Sequence, residues 1–152
     1  MPIDTDADPC ELLADLVCAH LNATPDEKGI VATASNPEQP QDELNKADSA
    51  LTVLVVPGEE TEEKIGRAGQ VQVVYPVNLM IFGGVEKSKH SRRDLSDYAY
   101  RRRRALRAET LSQGDRRFVF TRSEVIVKFD PANLNEGNDF FHVAQLIYSS
   151  TD

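Results

Sequence analysis

Residues 71–82 read VQVVYPVNLMIF, and the fold turns on how this run is read. Val71, Val73, Tyr75, Val77, Leu79 and Ile81 alternate, so they line one face of a strand. At ~3.4 Å per residue that strand exceeds ~35 Å. The opposite face carries Gln72, Val74, Asn78, Met80 and Phe82, too apolar to be left in water. A helix or another subunit is expected to pack there. Pro76 has no N–H for a ladder, which argues for a bulge or an edge position at mid-strand.

Working outward, LTVLVV (51–56) is a second β-branched strand that stops at Pro57-Gly58. The polar, Gly-punctuated GEETEEKIGRAG (58–69) then reads as the long loop of a hairpin, and Gly83-Gly84 reads as a turn. Upstream, Asp8 suits an N-cap, Pro9 the first helical position, and Glu11 a capping-box-like place. Leu12, Leu13, Leu16, Val17 and Leu21 give that first helix its apolar stripe, and Asn22 with TPDEKG stops it. GIVATAS is a candidate short strand, NPEQPQDE a surface loop, and LNKADSA (44–50) a turn of helix.

Downstream, Ser91 and Asp94 signal a second helix from about Ser91 to Leu111, ended by Gln113-Gly114-Asp115. RRFVFTRSEVIVKF supplies one or two strands, with Phe118 and Phe120 alternating, then Val125, Val127 and Phe129. DFFHVAQLIYSS supplies the last strand, with Phe141, Val143 and Ile147 on one face. Helix, strand pair, helix, strand pair makes an α+β domain. Its sheet is curved, mostly antiparallel, about 4–5 strands, flanked by two main helices. The 152 residues form one domain, with 1–8 as a flexible N-terminus.

No apolar run approaches the roughly 20 residues of a membrane helix, and the acidic start lacks a secretory h-region. A cytoplasmic site of synthesis is expected. Cys10 and Cys18 lie about 12 Å apart along a helix, too far for a disulfide within it. His20, His90 and His142 are scattered, and GxSxG, P-loop, HExxH and CxxC patterns are absent. Glu59, Glu60, Glu62 and Glu63 lack calcium-loop spacing and read as solvated charge. No catalytic group, metal or cofactor is expected.

The net charge of −8 is unevenly distributed. Residues 1–63 hold 2 basic and 15 acidic side chains, whereas 64–128 hold 15 basic and 6 acidic ones. A chain so polarised can attract other copies of itself. The basic half is centred on SDYAYRRRRALRAET. Helical residues turn 100° each, so the four arginines cannot share a face. Leu95, Tyr98, Ala105 and Leu106 form the core-facing stripe, while Arg103, Arg104 and Arg107 fall opposite with Tyr100. Arg101 is placed to pair with Asp97 one turn earlier. Arg102 points into the apolar stripe, with Glu109 at nearly the same angle, and calls for an interface or an internal ion pair. The outer arginines are open to three readings: a solvated face, a DNA-facing surface, or a subunit interface of Arg102, Arg103, Arg104, Arg107 and Glu109 with an acidic neighbour. No helix-turn-helix, zinc-finger spacing or RNP-type aromatic signature accompanies them.

The element order, with LNKADSALTVLVVPGEE, GQVQVVYPVNLMIFGG, SDYAYRRRRALRAET and FDPANLNEGNDFFHVAQLIYSS, resembles the small neck proteins of tailed bacteriophages, the tail-terminator or tail-completion family. Leu134, Phe140-Phe141 and VAQLIYS match that family's L-x(n)-F closing pattern, and the resemblance spans roughly residues 9–149. It implies a non-catalytic virion protein assembled in the bacterial cytoplasm. Its homo-oligomeric ring, usually a hexamer, caps the tail tube, docks the head-side connector and passes DNA through its bore. It also implies that the 58–70 loop, with Glu59, Glu60, Glu62 and Glu63 against Lys64 and Arg67, faces the bore or an adjoining ring. The competing readings are another neck, head-completion or tube ring component, a small nucleic-acid-binding module using the arginine helix, and an enzyme.

Overall fold

The computed structural model describes residues 8–39, 51–65, 69–84, 90–107, 109–114, 116–127 and 139–151. The expected flexible N-terminus (but for its last residue), the 44–50 turn of helix, Arg67, Phe129 and Leu134 lie outside those residues. The elements are α1 (Pro9–Ala23), β1 (Ala34–Ser35), β2 (Thr52–Pro57), β3 (Thr61–Ile65), β4 (Gln70–Gly84), α2 (Arg92–Leu106), β5 (Thr110–Gln113), β6 (Arg116–Val127) and β7 (Asp139–Thr151). The architecture is α+β, with a curled mixed sheet in the order β1-β2-β4-β7-β6-β5 and β3 paired to β4 beside β2. Among the described strands, only β1 and β2 run parallel. The sheet has more strands than the sequence suggested. No helix among the described residues is long and apolar enough to cross a membrane.

The strands form where the alternation demanded. Tyr75, Val77, Leu79 and Ile81 of β4 are buried in the main core, opposite Tyr148, Leu146, Ala144 and His142 of β7. That register puts Phe140, His142 and Tyr148 on the core side of β7, and leaves Phe141 and Val143 on the other. Phe141, Val143 and Ile147 share one face as expected, the one opposite the main core, and Ile147 and Ser149 are buried there as well.

Three differences from the sequence reading have local causes. The 58–69 loop is shorter than expected, because Thr61–Ile65 continues β2 along the same edge of β4. Pairing steps from Pro57↔Val77 to Thr61↔Val74, so one extra residue sits on the outer side, a bulge. Pro76 lies at that step. Its carbonyl accepts the Gly58 N–H at 2.9 Å, and its missing donor falls where the outer strand breaks. The second helix ends at Leu106, not Leu111, because Leu111 must reach the core opposite Phe118 in a β5–β6 hairpin. Gly114, with φ of 60°, makes the turn of that hairpin. Gly83 and Gly84 extend β4 and pair with Phe140 and Asp139, so they are strand rather than turn.

Both helices draw on one face of the sheet. α1 is capped by Asp8, whose carboxylate accepts the Cys10 N–H at 2.9 Å, and buries Leu13, Ala14, Val17 and Leu21. α2 carries the full Ser91/Asp94 capping box. α1 touches β2 and β4 and also β5 at the far end of the strand order, so the twisted sheet wraps it. A strongly twisted sheet is concave along one diagonal of each face. On the other face the opposite diagonal closes: Arg122 of β6 grips Glu63 of β3 with both carboxylate oxygens, although β4 and β7 lie between. Leu54, Val74, Phe82 and Ile147 are buried on that face, and Phe82 meets Phe141 with ring centroids 6.1 Å apart.

A Cβ on Gly58 would lie 2.8 Å from Cγ and 3.1 Å from the carbonyl oxygen of Pro76. Gly58→Ala is expected to destabilise the fold by about 1–3 kcal/mol, measured by urea unfolding. An unchanged midpoint would show that the outer strand does not need this close approach.

Candidate functional site

The run of four arginines in α2, Arg101 to Arg104, sits where two helix C-termini converge. His20, in the last turn of α1, donates from Nε2 to the Ala105 carbonyl at 3.0 Å. Reciprocally, Arg102 donates from Nη1 to the carbonyls of Leu21 (3.2 Å) and Thr24 (2.7 Å) at the end of α1. The last carbonyls of a helix lack internal partners and carry partial negative charge, so cations gather there. Arg102 is 6% exposed, and its guanidinium lies 5.7 Å from the Tyr98 ring centroid. The sequence expected a carboxylate or a neighbour for this residue. The fold supplies backbone carbonyls instead.

Arg101 pairs not with Asp97 but with Asp26, in the turn after α1. Its Nε and Nη2 meet the two carboxylate oxygens at 2.5 and 3.0 Å. A bidentate pair on a carboxylate only 1% exposed outweighs a solvated one-turn pair. Asp26 also accepts the Ile30 N–H at 3.1 Å, and its own carbonyl accepts from Gly29. The Arg101 hydrogen bonds, helped by the Ile30 N–H, hold the Asp26 carboxyl below the usual carboxylate range. Arg104 meets Glu27 at 3.0 Å on the surface. Three of the four arginines thus hold the 21–27 segment of their own chain.

Arg103 and Arg107 are left for the outside. Arg103 stacks on Tyr100 at 5.6 Å, and its buried Nε has no hydrogen-bond partner. Burial, and then the charge of Arg107, push its guanidinium below its ordinary value. Arg107 is the exposed C-cap of α2. Glu109 lies just beyond with its N–H on the Leu106 carbonyl, and its side chain is exposed and away from Arg102's partners.

The second group of residues gathers at the other end of α1. Glu59 and Glu60 lie exposed between β2 and β3, Glu62 and Lys64 are exposed on β3, and Glu63 is drawn into the Arg122 pair. The Arg122 hydrogen bonds hold the Glu63 carboxyl below its ordinary value. Cys10, in the first turn of α1, lies against the Glu60 backbone. Cys10 and Cys18 are free, and burial pushes both thiols up to about 11. No group of three metal-ligating side chains occurs among the described residues. No protein-family model matches the chain, and a search of curated proteins finds no match.

Asp26 is the residue that sequence reasoning passed over. TPDEKG read only as a helix stop, although an Asp three residues before a Gly is a turn signal that anticipates the Asp26–Gly29 bond.

Replacing Arg102 by Met is expected to cost about 3 kcal/mol in urea unfolding, since two carbonyls lose a charged donor. Wild-type stability here would mean that water caps α1 equally well. A depressed folded-state pKa makes the Asp26 contribution present above the unfolded value of about 3.9 and lost as pH falls through the folded one. The stability gap between the natural chain and Asp26→Asn should therefore be widest near neutrality and narrow below about pH 4. A gap independent of pH from 7 to 3 contradicts the pairing with Arg101.

Proposed function

We propose that this chain is a structural virion protein of a tailed bacteriophage. In this reading it is a ring-forming tail terminator that caps the tail tube and joins it to the head-side connector, with DNA passing through the bore. The observation that carries this reading is how the arginine run is used. Arg101, Arg102 and Arg104 bind α1 and its following turn, so the helix acts as a scaffold, and the remaining charge lies in separate patches of opposite sign. Such a surface suits contact between protein copies better than a duplex, which favours a continuous basic face.

Two further features support it. The element order, with a long central strand flanked by two helices on a curled sheet, is the one the family resemblance implies. The outer edges, β3 and β5, each pair on one side only among the described residues, and their exposed side chains are polar. In this reading the protein is not an enzyme and takes no cofactor.

Mass in solution at low and high salt, combined with negative-stain electron microscopy, tests the proposal. A closed ring with an open bore is expected in low salt, most simply a hexamer, weakening as salt screens exposed charge. A monomer that binds DNA with a steep salt dependence would instead establish the nucleic-acid-binding reading.

A further inference from the structure

Two patches of opposite charge lie apart on the surface of one copy. On the outer side of α2 a cleft of about 310 Å³ is lined by Ser96, Asp97, Tyr100, Arg103, Val125 and His142. Its rim is aromatic, aliphatic and cationic. Tyr100 is 46% and Val125 37% exposed, and the Arg103 guanidinium stacks on Tyr100. Tyr and Arg around a partly desolvated cleft are the residue types that anchor protein interfaces. Arg107, exposed one turn on, makes no ion pair among the described residues.

The complementary charge lies on the same molecule but out of reach. Glu59, Glu60 and Glu62 are exposed and have no ion-pair partner among the described residues, unlike Glu63. Glu60 lies at the Cys10 end of α1, whereas Arg102, next to Arg103 on α2, reaches the Leu21–Thr24 end. α1 has 15 residues, so roughly 20 Å separates the two. The basic cleft and the acidic segment cannot meet within one copy.

We propose that the Tyr100–Arg103–Arg107 face of α2 receives the Glu59–Glu60–Glu62 segment of a second copy, in a head-to-tail contact. Two different patches meeting make a heterologous interface, which propagates and closes when the rotation between copies allows. The contact rests on the self-assembling reading given above and names the surfaces it uses. Arg104, engaged with Glu27, and Arg102, engaged with α1, are not part of it.

The test uses two charge-reversed full-length chains, Arg103→Glu/Arg107→Glu and Glu59→Lys/Glu60→Lys/Glu62→Lys, each checked for folding by circular dichroism. Where R103E perturbs folding, R107E alone serves. Sedimentation in low salt is expected to show each variant dissociating at concentrations about tenfold or more above the natural chain. Mixed in equal amounts they should reassemble, because the all-acidic and all-basic copies fit at both patches. Folded variants that assemble as the natural chain does, or that fail to recover on mixing, overturn the pairing of these surfaces and leave the ring reading standing. A natural chain monomeric at every concentration overturns the contact itself, and microscopy on tail tubes then decides the neck reading separately.

Discussion

One guanidinium holds the helical layer together. α1 and α2 end side by side, so two sets of orphan carbonyls and two negative dipole ends approach each other. That arrangement is unfavourable unless cations sit between them. Arg102 does so from within the apolar stripe of α2, where its guanidinium lies over the Tyr98 ring and reaches the carbonyls of Leu21 and Thr24. His20 returns the bond to Ala105, and Arg101 fixes the chain as it leaves α1 by locking Asp26. Both bonds leave one nitrogen, Nη1, so a single end of the guanidinium caps α1.

The sheet obeys a different constraint. β4 is long and is paired along both sides, yet it contains a proline. The missing donor is tolerated because the neighbouring strand breaks and gains one residue beside it, and the glycine at the break lets the backbones close to hydrogen-bonding distance. A bulge also increases local twist. The added twist agrees with a sheet that wraps α1 on one face and folds over its own far side at the other, bringing Arg122 to Glu63 across two strands. Among the described residues, Leu54, Val74, Phe82 and Ile147 are buried on that second face, beside the Arg122–Glu63 pair.

The legible part of the molecule was the part set by local chemistry. Asp8-Pro9 and Ser91-x-x-Asp94 marked helix starts that the structure keeps, and the alternation from Val71 to Ile81 set the core face of β4. What escaped depended on register or on residues far apart in the chain. Thr61–Ile65 is a strand despite two glutamates and a lysine, because β4 offers an unpaired edge beside it. Leu111 leaves a helical-looking context for β5 because Phe118 pairs opposite it, a tertiary contact that overrides propensity. Arg101 looked toward Asp97 because one-turn pairs are visible in sequence. Its partner lies 75 positions away. The α+β class and the two helices were readable, whereas the partition of the arginine run was not.

That partition bears on how an assembly of this chain is held. The inner pairs are shielded from water and tie α2 to α1, so they resist salt and define the domain. Exposed pairs contribute about 0–1 kcal/mol each, too little to hold copies together alone. In the proposed contact, the apolar part of the Arg103 cleft, Tyr100 and Val125, would therefore supply the attraction once water leaves, while Arg103 and Arg107 would select which surface enters and in what orientation. A contact built this way is weak before it is desolvated and selective afterwards. Subunits can then stay apart until they are aligned, and stay aligned once they meet.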